Sequence, residues 1–286
     1  MRARTVTVLS HFRPQQVAPA IEALVEAARA EGVTLRLDED ETAKHGLTAR
    51  DGVVLDAPVS DDVELCVVLG GDGTILRALR RYAGTSVPVF AVNYGEIGFL
   101  ATIDPHEDSL AEGMARALAG DFETLTLPAL AVEAPDGSAL AAFNDVAIHR
   151  RAGTRVAQLS YAVHGEEVGS VRCDGLVLAT PAGSTGYNLA NGGPVMAWGV
   201  EGFAVSFISP HSLTARALVV APDDVLSVHN RANDPVDISI DGQPAGSIAP
   251  GEAITATFLR EAADLAQVPG SSFYLRLREK FGRLAT

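Results

Sequence analysis

The spacing of apolar residues changes once along the chain, near residue 121, and this change restricts the possible folds more than any other feature. Before it, short apolar runs typical of buried strands alternate with stretches of helical periodicity. Examples of these runs are TVTVLS at 5–10, ELCVVL at 64–69 and VPVFAV at 87–92. Strands that alternate with helices predict a parallel sheet of the doubly wound α/β type.

After residue 121 the helical periodicity fades. Short β-type runs recur there, separated by turn signals such as Pro135-Asp136-Gly137 and Asp241-Gly242. This part predicts an all-β, sandwich-like domain. We therefore expect an α/β domain over residues 1–121, completed by a returning tail over 265–286, and a β-rich domain over 122–264. The polar stretch 38–52 predicts a surface loop.

The composition excludes several classes of partner. The formal net charge is −14, which argues against nucleic acid and anionic membranes as partners. The two cysteines, Cys66 and Cys173, suggest neither a disulfide framework nor a zinc site. No apolar run is long enough for a membrane span, and the first one is too short for a signal peptide. We expect a cytoplasmic protein.

The segment GGDGT at 70–74 lies between an apolar run and a helical stretch. Glycines at such a junction expose backbone N–H groups that cradle phosphate. The lysine of a P-loop and the third glycine of a dinucleotide fingerprint are both missing. Asp72 therefore has two possible roles: it accepts a proton from an attacking hydroxyl, or it holds a Mg²⁺ that bridges phosphates. A tight turn with aspartate chosen for turn chemistry is the alternative. Arg77, in the following helix, is a candidate for neutralising phosphate charge.

A second glycine-rich segment, TPAGSTGYNLANGGP at 180–194, is dense in hydroxyl and amide side chains. Its composition predicts a ligand-binding loop in which Tyr187 offers a ring for stacking. Asn144 and Asp145 interrupt an otherwise apolar run. On its own, such a polar pair is more often a bulge or an edge feature than a site.

Together with NYGEIGFLA at 93–101, SPHSLTAR at 209–216 and DGQ at 241–243, these motifs resemble the NAD kinase family almost end to end. The resemblance implies transfer of the γ-phosphoryl group of ATP, or in some members of polyphosphate, to the adenosine-ribose 2′-hydroxyl of NAD. The product is NADP, and Mg²⁺ or another divalent cation is the implied cofactor. The implied fold is an α/β domain followed by a β-sandwich-like domain, with a tail that returns to the first domain. The implied assembly is a homodimer or homotetramer.

The resemblance also assigns site residues. It makes Asp72 the proton acceptor and places Gly71, Asp72 and Gly73 in the NAD site, while no metal ligand is identified. The remaining nucleotide-contacting positions are Asn144, Asp145, Arg155, Arg172, Asp174, Thr185, Gly186, Tyr187, Asn188, Leu189, Ala190 and Gln243.

The resemblance leaves two alternatives and one specificity question. The GGDGT motif alone also occurs in lipid kinases and phosphofructokinases, so a lipid or sugar kinase is one alternative. A non-catalytic NAD(P)-binding sensor is the other. Members that use both NAD and NADH tend to carry glycine at position 172, so Arg172 predicts a preference for NAD. We expect this arginine to act through shape or by pairing with a carboxylate such as Asp174.

Overall fold

The computed structural model describes residues 4–11, 13–96, 98–105 and 107–282, with the backbone alone at 107–109. The chain divides into two compact units, one formed by Met1–Thr126 with Ala263–Thr286 and the other by Leu127–Ala262. These divisions fall a few residues from the boundaries expected at 121 and 264. The end of the returning tail, 283–286, lies outside the described residues.

The described strands and helices are named here in chain order. The strands are β1 (Thr5–Ser10), β2 (Thr34–Arg36), β3 (Val53–Val54), β4 (Leu65–Gly70), β5 (Val89–Asn93), β6 (Glu123–Glu133), β7 (Ala139–Ala142), β8 (Asp145–Arg150), β9 (Ala157–Val163), β10 (Glu166–Cys173), β11 (Gly175–Ala179), β12 (Phe203–Ile208), β13 (Leu218–Val220), β14 (Leu226–Asn230), β15 (Val236–Ile240), β16 (Gln243–Ile248) and β17 (Ala253–Gln267). The helices are α1 (Pro14–Glu31), α2 (Glu39–His45), α3 (Asp72–Arg81), α4 (Glu107–Ala119), α5 (Tyr187–Ala190) and α6 (Phe273–Phe281), and a 3₁₀ turn covers Gly183–Thr185.

The first unit is built on a parallel sheet, which confirms the predicted α/β fold. Its strand order is β3-β2-β1-β4-β5, followed by the end of β17, which pairs with β5 in parallel. Ser10 pairs with Leu69 and Gly70 pairs with Asn93. The carboxyl ends of β1, β4 and β5 therefore meet at one edge of the sheet, the usual place for ligands in such folds.

Helix α1 shows why these residues form the predicted elements. Pro14 occupies its first turn, and Gly32 ends it in the left-handed conformation with φ of 64°. The buried face of the helix, which includes Val17, Ile21 and Leu24, packs into a core with β1, β4 and α4.

The prediction of a loop over 38–52 is wrong, because helix α2 lies within it. Asp38 is the N-cap, and its side chain accepts a hydrogen bond from the Glu41 N–H at 2.8 Å. An acidic first turn and Lys44 with His45 in the last turn suit the helix dipole. The spacing Asp38-x-x-Glu41 has the form of a capping box, which indicates a helix start even in a strongly polar stretch.

The second unit is an antiparallel β-sandwich, as predicted. One of its sheets has the order β13-β12-β11-β8-β15-β16, and the other contains β10-β9-β14-β17. The buried side chains of both sheets form one apolar core. Strands β14 and β15 alternate between buried and half-buried residues, as expected for strands with one face on the core. Strand β8 is central in its sheet, so Asn144 and Asp145 are not an edge feature.

No helix within the described ranges is long and apolar enough to cross a membrane.

Candidate active site

The turn between β4 and α3 holds Asp72 in one orientation. Gly71 is the N-cap of α3, and Asp72 is its first residue. The two carboxylate oxygens of Asp72 accept backbone hydrogen bonds from Phe99 at 3.3 Å and Leu100 at 3.1 Å. The carboxylate also lies at the positive end of the helix dipole. The side chain is only half-buried, so it is both fixed and accessible to a ligand.

Glycine is required in this turn because two backbone segments touch. A Cβ built on Gly71 would lie 2.9 Å from the Cα of Gly95, and one built on Gly95 would lie 2.7 Å from the Cα of Gly71. The Tyr94 N–H donates to the Gly70 carbonyl oxygen at 3.1 Å. The GGDGT turn therefore packs directly on the loop after β5, and exposed Gly73 leaves backbone N–H groups open at the start of α3.

Arg77 belongs to a group of charged side chains at the carboxyl end of β1. Its Nη2 lies 3.4 Å from both the Ser10 carbonyl oxygen and Oε1 of Glu41, while 54% of the side chain stays exposed. Glu41 is buried, and Lys44 Nζ donates to its Oε1 at 2.6 Å and to the Ser10 carbonyl oxygen at 3.2 Å. A cavity of about 470 Å³ beside this group is lined by Lys44, Arg77 and Arg81, among others. Lys44 carries no functional signal in the sequence, because its position beside Glu41 and Ser10 depends on helix α2.

In the second unit, the Asp241 side chain binds the backbone at the start of β8. Asp241 and Gly242 form a two-residue hairpin turn between β15 and β16, with φ of 47° and 75°, as a type I′ turn requires. The Asp241 carboxylate accepts backbone N–H groups from Phe143 at 3.2 Å, Asn144 at 2.7 Å and Asp145 at 3.2 Å. The turn of this hairpin therefore fixes the Asn144-Asp145 pair. In the sequence, Asp241 indicates only a turn and is part of the motif DGQ, because its contacts with residues 143–145 form only in the fold.

Asp145 is a buried carboxyl with an unusual pKa. Burial first and the nearby Asp241 carboxylate second raise its pKa from 3.8 to about 7. Among the described residues, the neighbouring Asn144 also has a buried side-chain oxygen with no hydrogen-bond donor. An unsatisfied buried acceptor costs about 1–3 kcal/mol, so a ligand that donates to the Asn144 oxygen would relieve that cost.

The loop after β11 is fastened to the same pair. The Thr180 hydroxyl donates to the Phe143 carbonyl oxygen at 2.5 Å, and the Gly183 N–H donates to that hydroxyl at 3.0 Å. The Thr180 N–H donates to the Asn144 carbonyl oxygen at 2.9 Å. A Cβ on Gly183 would overlap the Asn144 carbonyl oxygen. Gly183 is therefore required for the close packing of this loop on Asn144.

Asn188 holds the loop together from inside. It is fully buried, and its Nδ2 donates to the carbonyl oxygens of Ser184 and Pro194, each at 3.0 Å. Ser184 adds hydrogen bonds to Pro181 and Met196. Within the described chain, Oδ1 of Asn188 has no donor. The loop is therefore held by several internal hydrogen bonds.

Tyr187 is the exposed aromatic residue of this loop. Its ring stacks on the His149 ring with centroids 6.0 Å apart and planes at 28°, and 37% of the residue is exposed. The His149 ring in turn lies 3.0 Å from the Ser239 hydroxyl. Burial raises the pKa of the Tyr187 hydroxyl, and the carboxylates of Asp145 and Asp174 raise it further. The structure thus gathers Tyr187, Asp145 and Asp174 in one region.

Asp174 pairs with Arg150 rather than with Arg172. Arg150 Nε lies 2.5 Å from the Asp174 carboxylate, and the two residues also share a backbone hydrogen bond. The suggested pairing of Arg172 with Asp174 is therefore wrong for this chain. The side chains of Arg172 and Arg155 are exposed and make no ion pair or hydrogen bond to another residue in the described ranges.

The remaining predicted contact residues sit at the ends of these elements. Thr185 is buried and donates to the Ala182 carbonyl oxygen, Leu189 is half-buried, and Gly186 and Ala190 are exposed. Gln243 is exposed as the first residue of β16, directly after the Asp241-Gly242 turn.

Comparison with known proteins matches each of the two units to a known domain family. Residues 4–122 match the ATP-NAD kinase N-terminal domain, and residues 143–267 match the ATP-NAD kinase C-terminal domain. These matches place the chain among the nucleotide-phosphorylating kinases.

Curated relatives narrow this class to one family. An NAD kinase of Symbiobacterium thermophilum is 35% identical, with 96% of each chain covered. An NAD kinase of Gemmatimonas aurantiaca is 32% identical, with 97% of this chain and 95% of the relative covered. The chain belongs to the NAD kinase family.

Solved structures share the fold. Yeast NADH kinase complexed with NADH superposes with a TM-score of 0.85 at 22% identity, covering 99% of this chain and 90% of the yeast chain. An Archaeoglobus fulgidus NAD kinase in complex with ATP gives a TM-score of 0.74 at 24% identity, with 97% of each chain covered.

Proposed function

We propose that the protein transfers the γ-phosphoryl group of ATP to the adenosine-ribose 2′-hydroxyl of NAD and releases NADP. The observation that carries this proposal is the Asp72 carboxylate, fixed by the backbone N–H groups of Phe99 and Leu100 in a glycine turn. A pure nucleotide binder gains nothing from an anion beside phosphates. A carboxylate held in one orientation suits a group that orients a hydroxyl and accepts its proton.

The two units have separate roles in this proposal. The first unit binds the donor: backbone N–H groups at the start of α3 cradle its phosphates, and the cations of Arg77 and Lys44 offset their charge. Positioning and charge neutralisation are the main demands of phosphoryl transfer.

The second unit binds NAD. Asn144 and Asp145 accept hydrogen bonds from hydroxyl or amino groups of the nucleotide, and the exposed face of Tyr187 stacks on one of its rings. Thr185, Gly186, Leu189 and Ala190 line the loop, the remaining contacts come from Arg155, Arg172, Asp174 and Gln243, and the buried Asn188 shapes the loop from inside rather than contacting the nucleotide.

A divalent cation fits this arrangement if it arrives with the donor. Mg²⁺ usually keeps several waters and is held by substrate phosphates with one or two carboxylates, but Asp72, beside the phosphate cradle, already serves as the proton acceptor in this proposal. The described residues contain no group of three or more His, Cys, Asp or Glu that would form a separate metal site. The donor phosphates would therefore hold the ion, which would neutralise phosphate charge when bound, while Asp72 keeps its proposed role as proton acceptor.

We propose further that the active unit is a homodimer or homotetramer and that the protein acts in the cytoplasm. The support for both is the family to which the chain belongs.

A matrix of donors and acceptors tests the reaction. The purified protein is incubated with Mg²⁺ and either ATP or polyphosphate, and each donor is combined with NAD, NADH, diacylglycerol or fructose 6-phosphate. The proposal predicts NADP from ATP and NAD, and no phosphorylated lipid or sugar. A phosphorylated lipid or sugar without NADP would support the lipid- or sugar-kinase alternative. Nucleotide binding without any product would support the sensor.

A further inference from the structure

Arg276 of α6 is a buried arginine whose Nη1 and Nη2 atoms donate to residues 99 and 101 and to two residues near the start of α6. Only 8% of the residue is exposed. Its Nη1 donates to the carbonyl oxygen of Phe99 at 2.9 Å and to that of Ala101. Its Nη2 donates to Gln267 Oε1 at 2.8 Å and to the Ser271 hydroxyl at 3.1 Å. A buried guanidinium with so many partners fixes whatever it contacts.

The segment that Arg276 holds is the one that holds Asp72. The Phe99 and Leu100 N–H groups donate to the two Asp72 oxygens, while the Phe99 and Ala101 carbonyl oxygens accept from Arg276. The peptide unit between Phe99 and Leu100 therefore connects the guanidinium, through its carbonyl oxygen, to the carboxylate, through its N–H group. A shift of residues 99–101 toward or away from α6 would move Asp72 with it.

Helix α6 holds this segment a second time through aromatic packing. The Phe99 ring lies 5.7 Å from the Phe273 ring and 6.0 Å from the Phe281 ring, between centroids. Burial lowers the pKa of the Arg276 guanidinium, while Asp104, Asp72 and Glu279 raise it, in that order. Asp72 is therefore also within electrostatic range of the arginine.

We propose that Arg276 is a positioning residue for Asp72: it holds residues 99–101 so that their N–H groups keep the carboxylate in its reactive orientation. This inference rests on the proposed function of Asp72 as the group that orients the acceptor hydroxyl. It makes the C-terminal helix part of the catalytic apparatus, although α6 contributes no residue that touches the nucleotide in the proposed function.

Two substitutions test the inference. Arg276→Lys keeps a positive charge but cannot serve four acceptors, and Arg276→Met removes every donor. We expect kcat to fall by about 10- to 100-fold, because small misplacements of a catalytic group have effects of that order, with a smaller loss for lysine than for methionine. KM for NAD should stay within about 3-fold, since Arg276 binds no substrate.

Two control variants separate positioning from general destabilisation. Leu24→Ala removes buried volume from α1 in the same unit, so it should lower Tm without lowering kcat. Arg278→Met removes an exposed charge from the same helix and should change neither. If Leu24→Ala at a matched Tm lowers kcat as much as Arg276→Lys does, the loss reflects stability and the proposal is overturned.

A double-mutant cycle with Asp72→Asn is the sharpest test. Because Arg276 acts through Asp72, adding Arg276→Lys to Asp72→Asn should change kcat by less than about 3-fold. An equal loss in both backgrounds would contradict the proposal, as would wild-type kcat in Arg276→Met.

Amide hydrogen exchange gives a readout that does not depend on activity. The Phe99 and Leu100 N–H groups should exchange at least about 10-fold faster in Arg276→Lys, whereas Leu24→Ala should leave their rates unchanged relative to other amides of the unit. Unchanged exchange in Arg276→Lys would overturn the positioning role. Absence of NADP formation by the wild-type protein would instead overturn the proposed function, so the two failures are distinguishable.

Discussion

Replacing Asp145 by asparagine separates the cost of burying a carboxyl group from its use in binding. The folded protein raises the pKa of Asp145 from 3.8 to about 7, through burial first and the Asp241 carboxylate second. Below pH 4 the group is protonated in both the folded and the unfolded protein, so burial of its charge costs nothing. Between pH 4 and pH 7 the unfolded chain releases the proton while the folded protein keeps it. Rising pH therefore destabilises the fold by about 1.4 kcal/mol per pH unit over this range.

The size of the effect follows from these two pKa values. The cost is about 4 kcal/mol above pH 7 and about 2 kcal/mol at pH 5. Asparagine has no proton to release, so the stability of Asp145→Asn relative to the wild type should increase by about 2–3 kcal/mol from pH 5 to pH 8. The increase with pH, rather than the value at one pH, carries the prediction, because replacing an oxygen by an amino group also changes local hydrogen bonds.

Urea unfolding of both proteins at pH 5, 6, 7 and 8 measures this increase. The control is Asp136→Asn, because Asp136 is exposed and hydrogen bonds from the Ser138 side chain and backbone lower the pKa of its carboxyl. That substitution should shift stability equally at pH 5 and pH 8. A constant difference between Asp145→Asn and the wild type across this range would refute the reasoning.

Enzyme kinetics follow from the same titration. The ionised Asp145 is the better acceptor for the hydroxyl or amino groups of NAD, so KM for NAD should fall as pH rises through about 7. In Asp145→Asn the KM should be higher at pH 8 and nearly independent of pH. If KM for NAD depends on pH in the variant as it does in the wild type, Asp145 has no part in NAD binding.

Three further predictions concern other residues and the assembly. Gly71→Ala places a Cβ against Gly95 and should destabilise the first unit by about 1–3 kcal/mol and lower kcat. The control Gly73→Ala, at an exposed position, should cost less stability. Equal unfolding midpoints for the two variants would contradict the close packing of Gly71 on Gly95. The wild type should prefer NAD to NADH, and Arg172→Gly should change the ratio of their kcat/KM values by the equivalent of about 1–3 kcal/mol; an unchanged ratio removes Arg172 from specificity. Light scattering at assay concentration should show a homodimer or homotetramer, and full specific activity from a monomer would oppose this.

Much of the fold follows from local patterns that the sequence displays openly. The strand at 5–10 and the buried face of α1 follow from apolar spacing, and the hairpin turn at Asp241-Gly242 follows from turn chemistry. Helix α2 is hard to recognise in the sequence because almost every residue in it is polar. Glu41 is buried only in the folded protein, where its carboxylate contacts Ser10 and Lys44. The capping pattern Asp38-x-x-Glu41 is the local sequence feature that indicates this helix.

The residues of the site also fall into two groups: those that the sequence indicates and those that only the folded structure reveals. Asp72 and the Asn144-Asp145 pair are conspicuous because a charge or amide interrupts glycines or apolar residues. The supports of these residues are distant in sequence, since Asp241 reaches residues 143–145 and Arg276 reaches residues 99–101. A lone arginine in a terminal amphipathic helix carries no local sign of such a role. The Arg150–Asp174 pair likewise depends on strand ends that meet only after folding.

The direct test of the central claim is the turnover of Asp72→Asn compared with the wild type, measured as NADP formed from Mg²⁺, ATP and NAD. The variant keeps the size of the side chain and an oxygen that accepts a backbone hydrogen bond, but it cannot accept the proton of the ribose hydroxyl. We predict a modestly lower Tm, because the new amide NH₂ faces one of the two backbone N–H groups, together with NAD affinity by calorimetry within a few-fold of the wild type and a kcat lower by a factor on the order of 10² to 10⁴. Wild-type turnover in the purified variant would contradict the account, because the fixed carboxylate would then have no part in the reaction.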